Sequence, residues 1–282
     1  MERLKPLNDF IFKKLFGEKG DEPVLIAFLN AVLQKTHKEE IKEIIIKDNK
    51  ELTKGLINDK TGRIDVRATT VKGEEIDIEV QIKDQNNMDK RTLFYWSKLY
   101  LEGIKKGGDY KELNKVITIN LLDFEYLETK QYHSSFHLWE DEQKDYMLTD
   151  LVEIHFIELP KFRALQNKDF KESALQRWLA FLEKDINKNM LEELMNMEPA
   201  IKMAEEKLDY LSSDPYTIEL YKAREDSEHE KANFYRSGRD DEKLEIAQAL
   251  LDVLNDETIA IKTGLDIEEV KRIRKKQESA FK

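Results

Sequence analysis

The stretch GRIDVRATTVKGEEIDIEVQ, Gly62 to Gln81, decides the fold. From Glu75 onward apolar and polar residues alternate strictly. Ile76, Ile78, Val80 and Ile82 therefore share one face of a strand, and Asp77, Glu79 and Gln81 share the other. The same rule groups Ile64, Val66 and Ala68 against Arg63, Asp65 and Arg67. If both apolar faces enter one core, paired residue numbers must sum to an even value, because a slip of one residue reverses a strand's faces. A three-residue loop of Val71, Lys72 and Gly73, with the glycine in the left-handed position, meets this condition and sets Thr70 opposite Glu74. That register places Asp65 across from Glu79.

Two carboxylates facing each other at about 5 Å repel, at a cost of roughly 0.2 to 1 kcal/mol for a cross-strand pair. A divalent cation reverses the sign. Magnesium takes near-octahedral oxygen ligation, commonly from one or two carboxylates plus water and phosphate oxygens. Bound there, it would stabilise charge on a phosphoryl oxygen and lower the pKa of an attacking water. The same periodicity also describes an ordinary solvated face, with Arg67 opposite Asp77 and Arg63 opposite Gln81 in a lattice of ion pairs and hydrogen bonds.

Outward from the hairpin, Val24, Leu25, Phe28, Leu29 and Val32 recur at helical spacing behind Asp21, a candidate cap, and Pro23 in the first turn. Asn87 to about Lys106 again has helical spacing, stopped by the double glycine at Gly107. VITINLLDF reads as a buried strand, and the segments around FHLW and VEIHFIEL as further strands. Beyond Pro160 the pattern is helical: around Ala174 to Glu183, from Leu191 to about Leu211, near Ile218 to Arg224, and in three short segments from Lys243. The tract Arg224–Lys243 is dense in charge and reads as a solvated helix or linker. The order predicts an α/β domain over residues 1–163, a helical region with a charged linker over 164–242, and a small helical module over 243–282.

In 282 residues, 58 acidic side chains outnumber 47 basic ones, for a net charge of -11, which argues against a broad basic surface for nucleic acid. Any DNA contact must be local. There is no cysteine, which excludes disulfides, thiolate zinc sites and a cysteine nucleophile. MERLKPLNDF lacks the apolar core of a signal peptide, and no apolar run approaches the ~20 residues of a membrane helix, so the expectation is a cytoplasmic protein with no membrane partner.

Asp65 followed by Glu-x-Gln on the next strand resembles the PD-(D/E)XK nucleases, in the branch of recombination-promoting nucleases or PD-(D/E)XK family transposases. NDFIFKKLFG, the hairpin, RTLFYWSKLYLEGIKKGGDY, LNKVITINLLDF and VEIHFIELPKF are similar to that family's successive blocks, in order, over roughly residues 1–163. The resemblance implies a restriction-endonuclease-like core, a mixed sheet flanked by helices, with a helical C-terminal region. It implies Mg²⁺-dependent hydrolysis of DNA phosphodiesters, with Mn²⁺ able to substitute, and a role in recombination or mobile elements. Asp65 and Glu79 would bind the metal by side chain and Val80 by its backbone carbonyl. Gln81 stands where the family usually has lysine; glutamine can hydrogen-bond a water but supplies no charge. DNA is the expected partner, and a homodimer would cut both strands. The alternative is a catalytically weak or inactive DNA-binding or interaction protein acting through its C-terminal helices.

Other candidates are peripheral. Asp9 is either a third metal carboxylate or a helix cap. Arg91 and Tyr95 lie four apart on one helix face, where they could meet a phosphate and a base or sugar, or in the case of Tyr95 pack in the core. His133 and His137 read as strand residues about 13 Å apart and suit ordinary polar or packing roles. At the C-terminus Ala260, Gly264, Leu265, Val270 and Ile273 have a spacing that resembles helix-turn-helix units, with Asp266 and Glu269 as a capping box. Lys271, Arg272, Arg274, Lys275 and Lys276 are its candidate phosphate contacts, or else the unit is a packing or dimerisation module.

Overall fold

The computed structural model describes residues 2–47, 65–104 and 107–280, with the backbone alone for 228–229, 231–241 and 276–280. Arg63 and Ile64, assigned faces from the sequence, lie outside the described residues. The described chain divides into two compact units, Met1–Pro215 and Tyr216–Lys282.

The first unit is built on a six-stranded mixed sheet in the order β1-β2-β3-β4-β6-β5. Its strands are β1 (Ile44–Ile46), β2 (Val66–Thr70), β3 (Glu75–Gln81), β4 (Val116–Leu122), β5 (His133–Trp139) and β6 (Met147–Glu158). The hairpin register is the one parity demands: Val66 pairs with Ile78, Arg67 with Asp77, Ala68 with Ile76. Gly73 closes the loop at φ 85°, in the left-handed region, and a Cβ there would meet the Asn114 side chain at 2.9 Å. Thr70 N donates to Glu74 O and Gly73 N to Thr70 O, both at 2.9 Å.

β3 pairs with β2 on one side and runs parallel to β4 on the other, so it sits inside the sheet. A parallel neighbour requires a crossover, and helix α3 (Met88–Glu102) supplies it. This changes the meaning of the alternation. α3 covers the face that carries Asp77 and Glu79, and both faces of β3 are buried, which excludes the ordinary solvated face with its surface ion pairs.

The opposite face carries α1 (Asp9–Phe16) and α2 (Glu22–Leu33). Asn8 caps α1 by accepting from the amides of Phe10 and Ile11. Asp21 precedes α2, with Pro23 in the first turn, but its carboxylate makes no cap. It accepts instead from Glu18 N at 3.0 Å and from Lys207 Nζ at 2.6 Å.

A short helix α4 (Leu159–Arg163) follows β6, and α5 (Ala174–Phe181), α6 (Lys188–Met197) and α7 (Pro199–Ser213) complete the unit. Residues 164–215 thus belong to the same compact unit as the sheet. Trp178 of α5, fully buried, lies 5.8 Å from the Phe16 ring and 5.7 Å from Phe28. Burying such side chains contributes roughly 1.5 to 3 kcal/mol each. Arg3 fixes α7 through Glu205 at 2.9 Å and donates to the carbonyls of Phe181 and Glu183. The helix expected from Leu191 to Leu211 is two, because a residue before proline is driven out of the helical region and Glu198 is extended ahead of Pro199.

In the second unit α8 (Pro215–Leu250) is continuous, so the charged tract Arg224–Lys243 is helix. α9 (Asp256–Thr263) and α10 (Ile267–Ala280) follow. Gly264 takes φ 69° between them, and Asp266 Oδ1 accepts from Glu268 N at 2.8 Å. Ala247, Leu251, Ile259 and Val270 form the small core, with Ala260, Leu265 and Ile273 against it.

Candidate functional site

β3 and β4 run parallel, and α3 starts beyond the carboxyl end of β3. Groups at that end therefore converge under the first turns of the helix, the usual place for a site in an α/β sheet. Asp65 lies one residue ahead of the first β2 pair, and its Oδ2 accepts from Val80 N at 2.8 Å. Glu79 is 1 % exposed and Asp77 fully buried. Burial holds the Asp65 carboxyl well above its ordinary range, with the charges of Glu79 and then Asp9 adding to the effect against the Val80 amide. Asp77 and Glu79 are likewise raised, first by loss of solvent, then by like charge: Asp65 acting on Asp77, and Asp77 acting on Glu79.

The oxygens are unevenly satisfied. Glu79 Oε2 accepts from Arg91 Nη2 at 2.8 Å, and Gln81 Oε1 from Arg91 Nη1 at 3.3 Å. Glu79 Oε1 and both Asp77 oxygens are buried and accept no hydrogen bond from any described group. Such groups are costly to bury, which marks the place as one the fold does not satisfy by itself. Hard oxygen donors clustered with like charge suit a magnesium-type ion. The residues present fit such an ion, although among the described residues no three or more His, Cys, Asp or Glu side chains are already gathered as a cage.

The remaining candidates separate. Asp9 is exposed in the first turn of α1, with Oδ1 accepting from Phe10 N at 2.7 Å, while its charge reaches Asp65. It serves the helix end and adds to the acidic field. Arg91 turns inward to Glu79 and Gln81. Tyr95, expected either as a contact to a base or sugar or as a core residue, is 4 % exposed and packs with Leu99 and Val116. Its ring lies 5.4 Å from the Arg91 guanidinium carbon, and burial pushes its hydroxyl up to about 12. A ring so covered offers no stacking face to a base; it supports Arg91. In the second unit, Arg274 donates to Asp256 Oδ1 at 2.7 Å and to the carbonyls of Leu251 and Leu254, so it holds the module together. Lys271 pairs with Glu268 at 2.8 Å, and Lys271, Arg272 and Lys275 are exposed.

A family model described as PD-(D/E)XK nuclease family transposase matches residues 6–238. The chain belongs to this family. The match runs past the sheet, through α5, α6 and α7 and into α8. Family membership gives this PD-(D/E)XK chain a nuclease- or transposase-related role, on a mixed six-stranded sheet flanked by helices. Comparisons with curated proteins and with solved structures returned no significant match. No described helix is long and apolar enough to cross a membrane.

Two features of the PD-(D/E)XK chain escape sequence reasoning. Asp77 was visible on the acidic face, but its burial and missing partners follow from α3 and β4. Glu153, fully buried on β6, gathers histidines from distant positions: His155 Nε2 at 2.8 Å, His37 Nε2 at 3.0 Å and His137 Nε2 at 3.9 Å, together with Lys115 at 2.5 Å. His133 joins through His155 at 2.9 Å. Three imidazoles face one carboxylate and His133 reaches it through His155; the pairing of β5 with β6 brings in His133 and His137, in the polar role expected for them, and His37 comes from the segment after α2.

Proposed function

We propose that the chain is a divalent-metal-dependent DNA endonuclease whose site is formed by Asp65, Glu79, Val80 and Gln81 at the end of β3. The observation that carries this reading is the buried Glu79 carboxylate with Oε1 unpartnered, beside Asp65 and Asp77 in a family of nucleases. Asp65 and Glu79 would hold Mg²⁺ or Mn²⁺ by side chain, with the Val80 carbonyl as a further oxygen. Bound there, the ion supplies charge stabilisation at a phosphoryl oxygen and a lowered pKa for the attacking water. Gln81, half-exposed at the strand end, would orient that water through its amide, and α3 keeps bulk solvent off the carboxylates. DNA is the substrate and partner in this reading, held by local phosphate contacts from α10, since the chain as a whole is acidic. A homodimer would present two such sites to the two strands. The family's description as transposases supports a role in recombination or mobile-element processing.

The Arg91–Glu79 ion pair favours a second reading, in which the carboxylates are held by protein alone and the chain binds DNA without cutting it. Nicking of supercoiled plasmid with Mg²⁺ or Mn²⁺ separates the two. The first reading expects nicked product that disappears with Glu79→Ala; binding without any nicking by the intact chain would establish the second.

A further inference from the structure

Phosphodiester hydrolysis accumulates negative charge at the phosphoryl oxygens, and a preorganised positive group beside them is worth far more in a water-poor site than in solution. At this site the neighbours work in the opposite sense: Asp65, Asp77 and Glu79 are all acidic, and residue 81 is a neutral amide. Arg91 lies within hydrogen-bond reach of both sides of the problem. Nη2 is 2.8 Å from Glu79 Oε2 and Nη1 is 3.3 Å from Gln81 Oε1, so one guanidinium bridges the acidic ligand and the residue placed to orient water. Among the described cationic side chains it is the one bonded to both.

Its position is fixed from behind. Arg91 belongs to the first turn of α3, its guanidinium carbon lies 5.4 Å from the centroid of the buried Tyr95 ring, and its side chain is 22 % exposed. A planar fork held between an aromatic ring and a carboxylate, and still partly exposed, is suited to a phosphate oxygen, because guanidinium keeps its charge and donates in two directions at once.

We propose that Arg91 supplies the fixed positive charge of this site, the part an amine on residue 81 would otherwise play, and that it holds Gln81 in line for the water. The inference rests on the nuclease reading above. Arg91 is then a charge-supplying and positioning residue, and its contact with Glu79 means that it also competes with a metal ion for that carboxylate.

The test measures two quantities that a purely structural role would move together: Mn²⁺ affinity by calorimetry, and the nicking rate at saturating metal and DNA. Arg91→Ala should lower the rate on the order of 10²-fold, the usual effect of losing one preorganised donor. Its Mn²⁺ affinity should hold or tighten, because a competing cation has gone. Adding Gln81→Lys to Arg91→Ala should restore at least about tenfold of the rate by returning the charge to the strand. Arg91→Lys should fall between wild type and Arg91→Ala. If Arg91→Ala nicks like wild type, or loses metal binding along with its activity, or gains nothing from Gln81→Lys, the assignment is overturned. A wild-type chain that binds no divalent ion and nicks nothing removes the nuclease reading and this inference with it. A nicking wild type with an equally active Arg91→Ala removes this inference alone.

Discussion

Arg67 lies directly opposite Asp77 in the β2–β3 register, and the two do not pair. Arg67 turns away, donating to Glu75 at 2.9 Å and to Glu102 at 2.9 Å, while both Asp77 oxygens stay without a described partner. A buried carboxylate beside two others is a destabilising group at neutral pH. Asp77→Asn keeps the shape and removes the charge, so in metal-free buffer it should stabilise the fold by about 1 kcal/mol, seen as a higher midpoint of thermal unfolding. Calorimetry on the two proteins decides it; a drop of similar size would mean that Asp77 is supported by contacts the ionised form alone can make.

A ligand that binds only the folded chain stabilises it by mass action, about 2.7 kcal/mol at a hundredfold excess over its dissociation constant. Mg²⁺ or Mn²⁺ should therefore raise the unfolding midpoint of the wild type. Glu79→Ala should erase the shift, and its metal-free midpoint should not fall below that of the wild type by more than the loss of the Arg91 ion pair explains. An equal shift in Glu79→Ala would place the ion elsewhere.

Acid should weaken the fold through the Glu153 cluster. Burial, then His155 and Lys35, pushes His133 down to about 3, and burial also lowers His137. Glu153 is held well below its ordinary range by the hydrogen bonds of His155, His37, Lys115 and Thr36, against its burial. A histidine with a depressed folded pKa leaves the unfolded chain holding more protons below pH 6.5, so stability is present above that value and declines as pH falls toward 3. Glu153 adds a loss of the same sign below about 4.5. Each titrating group contributes up to roughly 1.4 kcal/mol per pH unit. Chemical denaturation at a series of pH values should show this slope, shallower in His133→Asn.

The second unit separates support from contact. Arg274→Ala removes three hydrogen bonds that tie α10 to Asp256 and to the turn after α8, and should loosen the module, measurable as faster amide exchange in α9 and α10. Replacing Lys271, Arg272 and Lys275 together by alanine should leave exchange unchanged and weaken DNA binding, with a slope against salt that is shallower by up to about three phosphate contacts. If the salt slope does not change, the DNA path does not use α10.

Much of this was legible in the hairpin. Parity and the left-handed Gly73 fix the Val66–Ile78 register, because both depend only on local geometry. Gly264 and Asp266 are legible for the same reason. The all-buried run of β4 declared an interior strand, but not that it would lie parallel to β3, and it is this pairing that buries Asp77 and Glu79. The convergence of His37, His133, His137 and His155 depends on contacts between residues up to 116 positions apart, to which no periodicity points. That Arg91 shares a helix face with Tyr95 was legible from their spacing; its hold on Glu79 was not, since that needs the angle at which α3 crosses the strand.

Asp77 and Glu79 lie on an interior strand, where an uncharged side chain of similar shape would cost the fold less. Neutralising Asp77 is therefore downhill in folding energy, whereas change at Glu79 also gives up the Arg91 ion pair. On the nuclease reading, a copy that loses one of these carboxylates is expected to lose cutting before it loses its fold.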